Sequence, residues 1–424
     1  MHSHFSRFCF SLPFFAHSIA LPNSFSGALK GNDLLSKTVH LFKGEIRGPE
    51  SIAPYKGSLF KYFYLFINVG ICFVNRTDDV YTALADGRVI RVRNNAYTLV
   101  ADVSEGQCEG LWDESKCGHP LGIKFDSKGN LYVVDGYYGL KRVNIAEGKG
   151  TVTTIFKINT KVNGRASKFL DDVAVHEGGG ANGGNVYYLT DVSTKWPLHY
   201  TLYCVAEHDK TGRVLKYDED TKTASVIAEG LSLPNGIELN DAKDALIVAE
   251  FSERRLIKIP LKGNKAGKVE TFIDKLPGEP DNVRRSSGQK ETYWVALAFI
   301  RNSSQPTPFD TLSNKPLLRK AIFRFIHALG SCLEYLGTLS NYVPLKEIGY
   351  KVKTGYVLQS SSLTSKMRGL AIEVDASGKI LRSLHSPDGH TILFSELREV
   401  VEGNKKVLYI GSYLNDYLGK LDLN

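Results

Sequence analysis

Asn235 stands in LSLPNGIELN, and Asp281 and Asn282 stand in GEPDN roughly one repeat further on. In each stretch a proline fixes φ immediately before a short, oxygen-bearing side chain. At LPNG a glycine follows, and the chain then runs into an alternating strand. Carboxylate and amide oxygens are ligands for a hard cation such as calcium. The residues therefore predict corners from different parts of the chain that meet at one central ion. For any one corner the competing reading is a turn, because Asx side chains also hydrogen-bond their own backbone.

Such corners need strands to hold them. Segments of one shape recur: VYTALADGRVIRV from Val80, LYVVDGYYGLKRV from Leu131 and VYYLTDVS from Val186. LIVAEFSERRLIKI follows from Leu246, YWVALAF from Tyr293 and VLYIGSYLNDYLGKL from Val407. Their spacing is roughly 50–60 residues, with one gap of about twice that before the last. Radial arrays of four-stranded sheets repeat at about 40–50 residues. The expected fold class is all-β, as a six-bladed β-propeller. In GIKFDSKGNLYVVDGYYGLKRV, Leu131–Val134 reads as the inner strand and Gly139 precedes the outer one. The last repeat ends at the C-terminus, so an early strand is needed to close the ring.

Two segments break the rhythm. Residues 58–77 form an apolar run interrupted by Lys61 and Asn68. A membrane span there would put Glu50 across the bilayer from the rest of the ring. An insert or a gene-prediction artefact is expected instead, since GPESIAPYKG would join naturally to DVYTALADGR. Residues 301–368 hold KPLLRKAIFRFIHALGSCLEYLGTL, where Leu318, Ile322, Phe325, Ile326 and Leu329 recur at helical spacing. They predict a helical insertion between blades five and six, with this stripe packed over one face of the ring, or acting as a substrate lid. Residues 27–424 are otherwise assigned to the propeller. Residues 1–26 read as a leader or the remnant of an anchor, the apolar run being short and broken by Pro13.

The chain is 424 residues long, 42% hydrophobic and 11% aromatic, enough for a sizeable core. Gly is abundant at 39 residues and Met scarce at 2, which suits many turns and little helical packing. The net charge of +8 is scattered. Pairs such as Arg254–Arg255 and Arg284–Arg285 read as solvated loop ends, and no aromatic–basic pattern points to nucleic acid. GGGANG at Gly178–Gly183 runs into a strand rather than a helix, so it is a turn and not a dinucleotide loop. Cys108 and Cys117 flank a short polar loop suited to a local disulfide. Asn75 and Asn302 head glycosylation sequons. Together these favour the secretory pathway, either extracellular or associated with the membrane of the cell surface or endoplasmic reticulum.

GPES, CGHPLGI, FLDD, LPNG and PDN, taken in order, make the chain from about residue 27 onwards resemble the strictosidine synthase-like family, in its animal branch. SKWP, LPNGIEL, PDNVR and SLHSPDG look like later landmarks of that branch. The resemblance implies a six-bladed propeller and extends more distantly to calcium-dependent propeller hydrolases. There an early Glu, an Asn-Gly corner and a later Asp hold an axial calcium, which implies Glu50, Asn235 and Asp281 here. Paraoxonase-like ligands would add Asp171 or Asp172 and Asn282.

The paraoxonase His dyad has no counterpart, since the matching places hold Leu121 and Gly136. His119, two residues away, is a weak candidate base. The plant synthases' catalytic Glu falls at Ser395, which cannot serve as a general base without activation. Its neighbour Glu396 is a second weak candidate. The function expected is a calcium-dependent hydrolase of arylesterase type, acting on a small-molecule ester or other apolar ligand. A non-catalytic binding or adhesion ectodomain with structural calcium is the alternative, and amine–aldehyde condensation a remote one.

Overall fold

A computed structural model describes residues 16–20, 25–55, 79–145, 150–301, 303, 307–356 and 367–423. Residues 58–77, most of the leader and the two sequons at Asn75 and Asn302 lie outside the described residues.

Among the described residues, six four-stranded antiparallel sheets follow one another along the chain, with a two-stranded ribbon at residues 161–166. Their first strands are Ile52–Tyr55, Pro120–Phe125, Phe169–His176, Pro234–Leu239, Gly278–Arg285 and Glu396–Glu402. Each of these touches the next and the last touches the first, so they line the axis of a closed, propeller-like ring. The sixth sheet is completed by Val39–Leu41, which pairs with Leu418–Leu423 near the other end of the chain. This early strand ties the two ends together, as the repeat requires.

Apolar side chains on both faces of each sheet build the core. Ile247, Ala249 and Leu256 of the fourth sheet, for instance, pack against Tyr293, Val295 and Leu370 of the fifth. The second strands are therefore the most hydrophobic, and Val186–Ser193 is buried at every position. This corrects the placement of Leu131–Val134. They lie in Asn130–Asp135, the second strand of the second sheet, one place out from the axis. The apolar maximum marks the strand sandwiched between neighbouring sheets, whereas the axial strand carries polar groups.

The helical insertion also differs in place. The long helix (Pro316–Leu339) and the second helix (Val343–Thr354) connect Thr292–Ile300 to Gly369–Asp375. Those strands are paired neighbours within the fifth sheet, so the insertion lies inside that sheet and not between the fifth and sixth. A hairpin connection can lengthen at small entropic cost without disturbing its ladder. The first sheet is similar, since Tyr55 pairs with Asp79 and residues 56–78 join two adjacent strands.

The long helix packs through a face roughly 100° round from the predicted stripe, which reaches the ring only at Ile326. Ile326 does lean on the ring's apolar cluster, as does Phe323, at 3% exposure, among Trp196, Leu198 and Tyr203. Leu318, Phe325 and Leu329 point outward. Glycines set this orientation, because a Cβ on Gly330 would meet the backbone N of Lys353 at 2.1 Å. A Cβ on Gly349 would meet that of Glu334 at 2.2 Å. The two helices lie too close for any other residue at those points.

Candidate metal and ligand site

The inner strands of sheets two to five share one irregularity. Their ladder breaks between Pro120 and Ile123, Leu170 and Val173, Pro234 and Ile237, and Pro280 and Val283. Each break is a bulge of two residues: Leu121–Gly122, Asp171–Asp172, Asn235–Gly236 and Asp281–Asn282. Bulges re-aim side chains and sharpen the local twist, and here they gather polar groups at the axis. Gly236 is required by close approach, since a Cβ there would meet the Cα of Asn282 at 2.5 Å. Leu233, before Pro234, is held at a φ of +56°, a strained conformation for a leucine of the kind found at functional sites.

The structure divides the six predicted ligands into two levels. Glu50, Asp171, Asn235 and Asp281 line the floor of one pocket. Asp172 and Asn282 are more deeply buried and do not line it. Glu50 Oε2, Asn235 Oδ1, Asp281 Oδ1 and Asn282 Oδ1 are buried with no hydrogen-bond partner among the described residues. Burial raises the pKa of Glu50 well above its ordinary value, and Asp171, Asp281, Asp172 and Glu396 raise it further. Burial and Asp172 do the same for Asp171. For Asp281 burial dominates, Asp171 and Glu396 add to it, and a hydrogen bond from Asn235 opposes it.

This is the signature of oxygen donors that lack a cation. Carboxylates alone do not close a cage. Among the described residues, the one trio of His, Cys, Asp or Glu ligand atoms within 4.8 Å of one another is His17, His208 and Glu253, away from the axis and partly buried. There Lys210 already pairs with the Glu253 carboxylate at 3.1 Å. On the axis, a bound ion would need the amide oxygen of Asn235 to complete its donors, and such a hard oxygen set would suit calcium rather than a softer metal.

Below the floor lies a cation that sequence reasoning missed. Arg284, read as part of a solvated loop end, is 1% exposed on the inner strand of the fifth sheet. Its Nη1 donates to Asp172 Oδ2 at 2.5 Å, its Nε to Glu396 Oε1 at 2.8 Å and its Nη2 to Ser51 Oγ at 3.2 Å. Burial works against the guanidinium's charge, but Asp172 and Glu396 outweigh it and push its pKa up. Arg254 is likewise buried, at 4% exposure. The available signal was periodicity, since Arg284 falls on an alternate position of an otherwise buried strand.

Glu396 is fully buried, with its pKa pushed up to about 7 by burial, Arg284 opposing and Asp172 adding. Its oxygens are bonded to Arg284 and Ser51, and it does not line the pocket, whereas Ser395 does. His119 is also buried outside the pocket lining. Its Nδ1 lies 2.5 Å from Glu114 Oε1, and its ring stacks on Tyr413.

The pocket walls are mostly apolar, with Leu121, Phe169, Phe251 and Phe299 from the ring and Tyr350 and Thr354 from the second helix. One wall is polar. Glu114 Oε2 accepts from Tyr137 Oη at 2.8 Å, and that hydroxyl lies 3.3 Å from His199 Nδ1. Burial would raise the pKa of Glu114, but His119 and Tyr137 prevail and hold it below the ordinary value. Burial lowers His199 to about 4, so its imidazole is neutral at physiological pH. A disulfide between Cys108 and Cys117 clasps the loop that presents Glu114. His199 also escaped sequence reasoning, because nothing around it in WPLHYTLY marks it as facing a pocket.

Over residues 180–264, which include Asn235, the chain matches the family model of strictosidine synthase. A Salmo salar protein named adipocyte plasma membrane-associated protein is 32% identical over 96% of this chain and 83% of its own length. The Homo sapiens protein of that name is 31% identical over 94% of this chain and 80% of its own. The chain belongs to the strictosidine synthase-like family, in the branch of the adipocyte plasma membrane-associated proteins. A gluconolactonase from Xanthomonas campestris shares its overall fold, with a TM-score of 0.50 at 11% identity over 91% of this chain and 89% of that one.

Proposed function

We propose that the protein is a six-bladed propeller hydrolase of arylesterase type, dependent on calcium and acting on an apolar ester. The carrying observation is the set of buried, unpartnered oxygens on Glu50, Asn235 and Asp281 at the floor of an apolar pocket. Those three residues, with Asp171 beside them, would hold Ca²⁺, and Asn282 and Asp172 would support the set from below. Bound calcium would supply Lewis-acid polarisation of a carbonyl oxygen.

The remaining work falls to the chain itself. Leu121, Phe169, Phe251 and Phe299 bind an aryl or alkyl group by its apolar surface. Tyr350 and Thr354 cover the pocket and limit water. His199, neutral and linked through Tyr137 to Glu114, is the imidazole lining the pocket that would take a proton from an attacking water.

The names of the relatives support membrane association, and the disulfide suits the secretory pathway. A second reading, a binding ectodomain with structural calcium, is favoured by Leu121 and Gly136 at the dyad positions. Amine–aldehyde condensation is disfavoured, because Ser395 replaces the synthase carboxylate and Arg284 engages Glu396.

Turnover of phenyl acetate, with chelator and after calcium is restored, tests the proposal. Activity that disappears and returns supports it, and activity indifferent to chelation overturns it. Asn235→Ala separates the second reading, which predicts a lower thermal midpoint with no turnover to lose.

A further inference from the structure

The solvent face of the long helix is apolar from end to end. Leu318, Ile322, Phe325, Leu329, Leu336 and Leu339 follow one another at steps of three, four or seven residues and are 36–67% exposed. Not one exposed residue of this helix is charged. From Leu318 to Leu339 the stripe runs about 32 Å at the α-helical rise. The adjoining face is already used, by Phe323 against the ring and by Gly330 and Gly337 against the second helix. Tyr342 and Val343, at the start of the second helix, extend the apolar surface at 58% and 50% exposure. Exposed patches of this extent on a folded protein mark an interaction surface.

Charge identifies the partner. Residues 315–356 hold seven Lys and Arg against two Glu and no Asp, a net +5 within a chain of net +8. Both glutamates are paired with lysines, Glu334 with Lys353 and Glu347 with Lys351. A second copy of the hairpin would bring the same excess of positive charge against this one. The stripe also lacks the flanking acid–base pairs by which helices select a helical partner.

We propose that this hairpin docks on an anionic membrane surface, with the long helix lying flat in the interface. Its apolar face would enter the acyl boundary and its lysines would face the headgroups. Among the described residues no helix is long and apolar enough to cross a membrane, so contact through this helix is peripheral. The docking does not depend on the hydrolase reading. The two meet in the second helix, which supplies Tyr350 and Thr354 to the pocket and so places the pocket beside the docked surface.

The test is co-sedimentation of the full chain with vesicles of phosphatidylcholine, alone or with about one third phosphatidylserine. The native chain is expected to bind the anionic vesicles, more weakly in high salt. Phe325→Glu with Leu329→Glu should lower its partition about tenfold at an unchanged thermal midpoint. Lys315→Glu with Lys320→Glu should reduce binding to the anionic vesicles alone. Partition unaltered by the Phe325/Leu329 pair overturns the proposal. So does a change from dimer to monomer on gel filtration without any change in vesicle binding, which would assign the stripe to a second copy.

Discussion

Asp172 and Glu396 share the guanidinium of Arg284, whereas Glu50, Asp171 and Asp281, one level nearer the pocket, form no ion pair with a basic side chain among the described residues. Both groups are buried among the same inner strands. The lower is neutralised by the chain itself, and it continues into a further buried pair, Lys124 with Glu238 at 2.5 Å. The upper holds acids whose pKa values are raised by burial and by one another and leaves oxygens of Glu50, Asn235 and Asp281 unpartnered among the described residues. A buried carboxylate is costly without a counter-charge, and the two levels differ in whether the chain itself supplies one. Acidity alone thus does not define a binding site, because the local inventory of cations decides.

The comparison breaks most severely at Arg284. Arg284→Met leaves Asp172 and Glu396 buried and uncompensated, and should cost about 3–5 kcal/mol in chemical denaturation. A loss below about 1 kcal/mol would show that the lower cluster is not held by this charge.

Next in size is calcium linkage. Saturating calcium, at about a hundred times its Kd, should add about 2.7 kcal/mol to the native chain. Asp281→Asn should abolish that increment while stabilising the chelated protein, which loses a repelling carboxylate. Titration calorimetry and thermal unfolding with and without chelator measure both effects.

A catalytic consequence follows if esters are the substrate. His199→Gln should lower kcat about a hundredfold with KM changed much less, and it should leave the calcium increment intact. Equal loss of both would point to general damage.

Acid should also separate the two levels. The upper carboxyls bind protons more tightly folded than unfolded, so the chelated protein loses stability as pH rises from the ordinary carboxylate range through the raised values. Calcium competes with those protons. The gap between loaded and chelated thermal midpoints should therefore narrow as pH falls from about 7 to about 5. A gap that is constant or widens contradicts the assignment of the raised carboxyls to the ion.

The smallest effect belongs to the outward helix face. Phe325→Glu should change stability by less than about 0.5 kcal/mol, since its ring is 67% exposed. A larger loss would mean that the stripe is covered after all.

Much of this organisation was legible in the sequence. Asn235 and Asp281 were marked by their prolines, and the repeat of strands announced an all-β ring that an early strand must close. The full regularity was there to be read. Pro120-Leu-Gly-Ile, Leu170-Asp-Asp-Val, Pro234-Asn-Gly-Ile and Pro280-Asp-Asn-Val share one spacing, and it is the spacing of the bulges. What misled was hydrophobicity taken without depth. Leu131–Val134 are more apolar than any axial strand because neighbouring sheets sandwich them. The stripe Leu318–Leu329 has the period of a core-facing helix and yet, Ile326 apart, turns away from the ring.

Composition, strand period and proline corners are local properties of the chain, and by themselves they determined the class of fold and the chemical character of the site. Long-range packing decided the rest. Only the ring's closure brings Glu50 near Asp281. Only the tertiary structure pairs Arg284 with Asp172 and Glu396, 112 residues away from it on either side. Only helix-to-helix contact at Gly330 and Gly349 shows which face of the insertion stays outside. A charge acquires or loses its partner in space, and a helix face is buried or bare according to what reaches it, so neither can be read from a residue's neighbours in sequence.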